Sequence, residues 1–301
     1  MRIKTLAVAS AAGGRHRGGR EAAHCYYEHC LKQRPFFSCG IRHSSSHRHY
    51  KLRRLFRQLH HATQNCVRSK QPFLVVEGDH SSAMGTWSGV MDGLEADQSL
   101  GLIWIDAHMD ANTFQSSPTG NVHGMPVAAL LDSKDRRLQK LYPGKKHLDP
   151  KNLILIGLRS YETGEKALLD SLGVEYYTVD SLKATGSLET ILRRSVKRLE
   201  ERCSQIGMSI DMDAIDPRDA PAVATPVAQG LRGRELVQAI SKALQNITLC
   251  GLEISEYVPE IDPDQRTVRL ISQLIKAVYP SSENRFLGSF NSGIKSISLP
   301  S

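Results

Sequence analysis

Short apolar runs alternate with stretches of helical periodicity along most of this chain, and that alternation leaves few folds open. The runs at 3–9, 72–76, 101–106, 152–157, 174–178, 206–211 and 247–254 read as strands. Helical patterns lie between them at 50–67, 82–96, 125–141, 162–171, 187–202, 232–245 and 265–279. A helix between two strands returns the chain to the same edge, so the strands pair in parallel and the helices cover both faces. The sequence therefore predicts an α/β fold: a three-layer αβα sandwich around a mostly parallel central sheet. A chain of 301 residues can form one such unit. Residues 1–280 read as a single domain, with no internal repeat and no long linker. Residues 281–301, rich in Ser, Gly and Asn, read as a tail ordered by packing on a neighbour. Arg2, Lys4 and the apolar run 6–12 have the look of a short signal peptide, but Gly13-Gly14 follows without a clean cleavage region. A first core strand, Ile3 to Ala9, is the preferred reading.

Two of the runs end in unusual residues. Leu102-Ile103-Trp104-Ile105 leads into Asp106-Ala107-His108-Met109-Asp110, and the run 206–210 leads into Asp211-Met212-Asp213. Side chains two apart in an extended chain point the same way, so each set can converge on one point. His80, from Gly78-Asp79-His80-Ser81, follows a third run. One such motif is weak evidence, since a lone Asp after a strand is commonly a turn residue or helix cap. Three segments delivering four carboxylates and two imidazoles to matching strand ends are much harder to dismiss. Crowded together these groups repel and desolvate one another, and a pair of divalent cations removes the problem. Open α/β sheets place their sites just beyond the carboxyl edge, where these residues fall. Oxygen-rich ligation with some imidazole suits Mn²⁺, and no cysteine is near to favour zinc.

Composition narrows the partners. The net charge is +8, but the basic residues are scattered and no nucleic-acid motif is present, so a nucleic-acid partner is not expected. The densest basic patch, Arg42 to Arg57 with His43, His47 and His49, reads as a solvated loop running into a helix. No apolar stretch approaches the roughly 20 residues that span a bilayer, so no membrane span is expected. Six cysteines (25, 30, 39, 66, 203 and 250) include no C-x-x-C pair, which fits a reduced, cytoplasmic protein.

Read together, Gly78-Asp79-His80-Ser81, Asp106 to Asn112, Gly120-Asn121-Val122-His123-Gly124-Met125-Pro126 and Ser209 to Pro217 resemble the signature blocks of the ureohydrolase (arginase) family. Ala220-Pro221 and Thr225-Pro226 continue the last block in the same way. Arg17-Gly18-Gly19 and Arg159 to Glu165 are similar to loops of the arginases. The similarity runs from about residue 3 to 279, and the Asn121-x-His123-Gly124-Met125-Pro126 block favours arginase over agmatinase.

The resemblance implies a binuclear manganese centre, with two Mn²⁺ per chain. One ion would be held by His80, Asp106, Asp110 and Asp211, the other by Asp106, His108, Asp211 and Asp213. A hydroxide bridging the ions would attack a guanidinium carbon and release urea and an amine. Four carboxylates, two dications and that hydroxide sum to one negative charge, which suits a cationic guest. By the same resemblance His123 would shuttle the proton and Glu256 would pair with the guanidinium. Asn112, Thr119, Asn121, Glu162 and Thr225 would read the rest of the substrate, Asn112, Thr119 and Glu162 at its α-carboxylate and α-amino group. The expected reaction is L-arginine and water to L-ornithine and urea, by a homo-oligomer, trimer or hexamer.

The chain also departs from the family pattern. Glu77 stands where Gly is usual, Thr119 for Ser, Glu162 for Asp, Val258 for Asn, and Ala224 and Gln229 for Gly. None removes a metal ligand, so the alternatives concern the substrate: agmatine, a guanidino acid or formimidoylglutamate. A metal-binding homologue without turnover is a further alternative. It is disfavoured because all six ligands, His123 and Glu256 are in place.

Overall fold

The structure is a computed structural model, and it describes residues 2–14, 18–27, 37–40, 48–280 and 286–287. Arg17, Cys30, the basic segment 42–47 and the tail apart from Phe286–Leu287 lie outside the described residues.

Strands β1 (Ile3–Ala9), β2 (Phe37–Gly40), β3 (Phe73–Glu77), β4 (Leu100–Ile105), β5 (Leu153–Leu158), β6 (Glu175–Thr178), β7 (Gln205–Asp211) and β8 (Gly251–Ser255) form one sheet in the order β2-β1-β3-β8-β7-β4-β5-β6. A short β9 (Phe286–Leu287) adds to β1, and every strand pairing is parallel. The residues of β3, β4, β5 and β8 are buried on both faces, as the interior of a parallel sheet requires, while the edge strand β6 is half-buried. In β4, Leu102 and Trp104 face a layer containing α2 (Arg48–Arg68), α3 (Ala83–Gly93), α4 (Pro126–Leu130), α5 (Arg136–Leu141) and α6 (Thr163–Leu172). Ile103 and Ile105 face the opposite layer, containing α7 (Val179–Thr185), α8 (Leu188–Glu200), α9 (Gly233–Ala243) and α10 (Arg266–Val278), with the short α1 (Ala22–Cys25). The three-layer αβα sandwich predicted from the alternation is the observed fold.

Trp87 of α3 lies against β7. A Cβ on Gly207 would sit 2.2 Å from the Trp87 Cζ3 atom, so only glycine lets the ring lie on the strand. Burying such a side chain contributes roughly 1.5–3 kcal/mol. It also brings the indole N–H to the polar residues inside the sheet.

Some boundaries differ from the sequence reading. The pattern at 125–141 is two helices, because Asp132 and Lys134 adopt φ of +55° and +65°. Asp135 then starts α5 by accepting from the Arg137 and Leu138 amides at 2.7 and 3.1 Å. Apolar periodicity runs on through this break and conceals it. The last predicted strand, 247–254, is laddered only from Gly251 to Ser255. β2, β9, α1 and α7 were not anticipated, being short or only partly apolar. Among the described residues, no helix is long and apolar enough to cross a membrane.

The four central neighbours β3, β8, β7 and β4 matter most. Their carboxyl ends lie side by side and deliver His80, Glu256, Asp211 with Asp213, and Asp106 with His108 and Asp110, respectively.

Candidate metal centre and active site

Each acidic residue at these strand ends first satisfies its own turn. Asp211 accepts from the Asp213 amide at 2.8 Å, Asp106 from the His108 amide at 2.7 Å, and Asp79 from the Ser81 amide at 3.0 Å. The spacing of two therefore works through capped turns, and the extended geometry expected from sequence gives way just past the strands. Residues Met212–Ala214 form a 3₁₀ turn, and Asp110 has a φ of +51°. Convergence survives because each turn folds its second carboxylate or imidazole back over the first.

All six expected ligands meet. His80 Nδ1 lies 3.2 Å from Asp106 Oδ2, 3.2 Å from Asp110 Oδ2 and 3.1 Å from Asp211 Oδ2. His108 Nδ1 lies 3.5 Å from Asp106 Oδ1 and 3.2 Å from Asp213 Oδ2. Two overlapping donor groups result, His80–Asp106–Asp211 and Asp106–His108–Asp213, with Asp106 common to both. Donors bound to one ion at about 2.0–2.2 Å and at right angles to each other lie about 3 Å apart, the spacing of these atoms.

The electrostatics are those of an overcrowded site. Burial, then the Asp106 charge, push the Asp110 carboxyl up to about 7. Burial and the charges of Asp213 and Asp106 raise Asp211 as well. Burial would raise Asp106 too, but the His108 and His80 imidazoles beside it outweigh it and hold that carboxylate low. In both imidazoles burial opposes charge, yet the surrounding aspartates win and raise His80 and His108.

The tautomer of His80 shows whether the residues fit a metal. Ser209 gives its hydroxyl hydrogen to Glu253 Oε2 at 2.7 Å, and its lone pair faces His80 Nε2 at 2.8 Å. Nε2 must then carry the ring hydrogen, so the neutral imidazole, the form that binds a cation, aims its Nδ1 lone pair at three carboxylates. Nδ1 and Asp110 Oδ2 are both buried and find no hydrogen-bond partner. Trp104 stacks on the His80 ring with centroids 4.2 Å apart and donates its indole N–H to Asp106 Oδ2 at 2.9 Å. A lone pair and four acidic groups locked face to face fit divalent cations.

Comparison with known proteins agrees. A model of the arginase family matches residues 20–279. The chain belongs to the arginase family. Members are hydrolases acting on amidines, and this chain is an enzyme of that class. The arginase of Bacillus caldovelox is 35% identical over 206 residues, covering 68% of each chain. That of Brevibacillus brevis is 33% identical over 206 residues, again 68% of each. The solved Bacillus caldovelox arginase superposes with a TM-score of 0.83 at 28% identity, covering 93% of this chain and 98% of that one.

Above the donor cluster of this arginase-family chain opens a cavity of about 440 Å³. His123, Glu256, Asn112, Thr119, Asn121, Glu162 and Thr225 all reach its lining, so every site residue expected from sequence comes together. His123 Nδ1 lies 3.1 Å from Glu256 Oε1, which also accepts from the His80 amide at 3.1 Å. Glu256 adopts φ of +62°, a conformation costing about 1–2 kcal/mol for a residue with a Cβ and one that recurs at functional sites. Asn112 donates to Glu162 Oε2 at 2.9 Å, joining two rim residues. Thr119 accepts from the Asn121 amide at 3.2 Å. Thr225 donates its hydroxyl hydrogen to Asp213 Oδ2 at 2.9 Å, so in this structure it supports Asp213 as well as lining the cavity.

Several contributors were given no role in the sequence reading. Ser209 and Glu253 are polar residues at inward positions of apolar strands, which was a readable signal. Arg159 directs its guanidinium at five backbone carbonyls, those of Gly157, Asp213, Ala214, Val227 and Ala228. It thereby pins the loop bearing Thr225 to the turn bearing Asp213. Nothing in a single sequence pairs residues so far apart.

Proposed function

We propose that the chain is a two-manganese hydrolase converting L-arginine and water into L-ornithine and urea. The observation that carries this reading is the meeting of six ligand-type side chains beneath a cavity that also holds His123, Glu256 and the Asn112–Glu162 rim pair. His80, Asp106, Asp110 and Asp211 would hold one ion, and Asp106, His108, Asp211 and Asp213 the other. When bound, the ions supply a water acidified enough to be a nucleophile at neutral pH.

The side chains do the rest. Glu256 stays ionised, since burial raises its pKa but the His123 hydrogen bond more than offsets this. Its carboxylate then faces the cation of a guanidinium and turns the carbon toward the metal floor. Burial lowers His123, but Glu256 outweighs it and lifts the imidazole to about 9. His123 therefore holds a proton at neutral pH, as a donor to a departing amine must. When the bond from the guanidinium carbon to the side-chain nitrogen breaks, that nitrogen takes the proton and leaves as the ornithine amine. Asn112, Thr119 and Asn121 offer polar groups for an α-carboxylate, and Glu162 an acceptor for an α-ammonium.

The test is manganese reconstitution with elemental analysis, followed by urea or formamide release from arginine, agmatine, guanidinobutyrate and formimidoylglutamate. Two manganese ions per chain, activity lost on chelation and a strong preference for arginine are expected. A stoichiometry near zero with undiminished turnover would sink the metal reading. Equal or better turnover of another panel member would replace arginine as the substrate.

A further inference from the structure

On the side of His80 facing the sheet, two more carboxyls lie where charge is hardest to tolerate. Glu77 ends β3 and Glu253 lies in β8, and both side chains are wholly buried. Val75 and Ser209 are the register partners of Glu253 on either side, and Glu77 is two residues beyond Val75 on the same face. One oxygen from each carboxyl and a His80 ring nitrogen all lie within 4.8 Å of one another. The layer on this face of the sheet includes Phe73, Met84, Trp87 and Trp104, and the titratable groups near Glu77 besides Glu253 are Cys39, Asp79 and His80. Glu253 Oε2 accepts from Trp87 Nε1 and Ser209 Oγ, both at 2.7 Å. Glu253 Oε1 and both oxygens of Glu77 have no donor among the described residues.

Two ionised carboxylates this close, in an apolar layer with no lysine or arginine among the described residues against them, would carry both desolvation and mutual repulsion. The nearest imidazole nitrogen, His80 Nε2, is engaged with Ser209, so a proton shared by the two carboxyls is the smallest group that relieves them. We propose that Glu77 is a positioning residue for His80, its protonated carboxyl donating a hydrogen bond to Glu253 Oε1. Glu253 is then the anion, and the hydrogens of Trp87 and Ser209 already point at it. The chain reads Glu77 O–H to Glu253, Ser209 O–H to Glu253, and His80 Nε2–H to Ser209. Burial first and Glu253 second raise Glu77 well above the usual carboxyl range, which keeps the proton on Glu77.

The consequence falls on the metal centre, so the inference rests on the metal-centre reading above. While Glu253 is an anion, Ser209 must give it the hydroxyl hydrogen, and His80 must present Nδ1 to the ligand cluster. Without the Glu77 donor, Glu253 Oε1 is left unpaired and the carboxylate is free to turn away from Ser209. Ser209 can then donate to Nε2 and release the other tautomer. Such outer partners of a metal-ligating histidine typically govern affinity by about 10–100-fold.

The experiment compares wild type, Glu77→Gln and Glu77→Leu, with thermal melts to confirm folding. Infrared difference spectra of metal-free wild type minus Glu77→Gln at neutral pH should show the carbonyl band of a protonated carboxyl. Manganese titration by calorimetry should leave Glu77→Gln, whose amide still donates to Glu253, close to wild type. Glu77→Leu, of similar bulk but without a donor, should bind about 10–100-fold more weakly. The proposal is overturned by absence of the band, by Leu and wild type binding alike, or by Gln falling as far as Leu. It is equally overturned if wild type binds three ions and Glu77→Gln two, which would make the pair a cation site. Wild type that shows the band yet binds no manganese overturns the metal-centre reading and the positioning role, leaving only the carboxyl pair.

Discussion

Glu256 Oε1 lies 3.1 Å from His123 Nδ1 and 3.1 Å from the His80 backbone nitrogen, so one carboxylate ties the His123 imidazole to the segment bearing His80. The ion pair of His123 is with Glu256 and with none of the six proposed ligands, so the proposed proton transfer and metal binding can be tested apart. His123→Asn is expected to keep both metals and lower kcat by about 10²–10⁴-fold, the usual worth of general acid–base help. Asp211→Ala, by contrast, should lose metal, because Asp211 stands in both proposed ligand sets. Elemental analysis beside steady-state kinetics checks the pair. Metal loss in His123→Asn, or full activity in it, would remove the proton-transfer role.

Thr225 offers a sharper distinction. Its hydroxyl donates to Asp213 Oδ2 at 2.9 Å, whereas resemblance alone made it a substrate reader. Thr225→Val keeps the shape and removes the hydrogen. If the bond to Asp213 is its main role, manganese affinity should fall by about 10-fold or more while KM for arginine at saturating metal changes little. An unchanged metal titration with a raised KM would restore the substrate-reading role.

Asp216 gives a dependence on pH whose sign can be worked out. Its carboxylate accepts from the Arg218 amide at 3.0 Å, from Arg218 Nε at 2.7 Å and Nη2 at 3.1 Å, and from the Gly230 amide at 3.2 Å. The Arg218 hydrogen bonds outweigh burial and hold the carboxyl down to about 2, against about 3.9 in an unfolded chain. A depressed pKa contributes stability that is present above the unfolded value and is lost as pH falls through the folded one. Asp216→Asn should therefore be less stable than wild type at pH 7. The gap should hold down to about pH 5 and close between about pH 4 and pH 2. Denaturant melts of the two metal-free proteins across that range test this, and a gap that is constant down to the lowest pH would refute it.

The fold was legible because period and alternation are local properties. Ile103 and Ile105 against Leu102 and Trp104 already divide the two faces of β4, and the structure puts them in opposite layers. The meeting of the candidate ligands was legible because a parallel sheet lines up its carboxyl ends, so Asp106 and Asp211 had to be neighbours once their strands were. Breaks set by single backbone angles were not legible. Asp132 and Lys134 turn the chain at positive φ inside an unbroken helical pattern. Nor were tertiary pairings such as Trp87 with Glu253, 166 residues apart, which depend on Gly207 leaving room for the indole.

On the proposed reading the substrate is decided at the rim, where Asn112 donates to Glu162 Oε2 at 2.9 Å. Glu162 is itself held low, first by its hydrogen bond with Glu165, with burial opposing and Asn112 adding to the effect. An ionised Glu162 can accept from an α-ammonium, and Asn112 can turn its amide to an α-carboxylate. An amino-acid substrate must then exchange the Asn112–Glu162 bond for two bonds of its own, whereas agmatine offers no carboxylate to complete the exchange. Sites built to hydrogen-bond a substrate group reject analogues lacking it by up to about 10⁴-fold or more. The kcat/KM for L-arginine should therefore exceed that for agmatine by at least about 10²-fold on the same preparation. Glu162→Asp withdraws the carboxylate by one methylene and weakens the bond to Asn112, so it should lower KM for arginine and leave kcat nearly unchanged. Glu162→Gln, which removes the charge, should raise KM for arginine and leave agmatine turnover nearly untouched. If both substrates lose equally in Glu162→Gln, the rim pair supports the loop and does not read the α-ammonium.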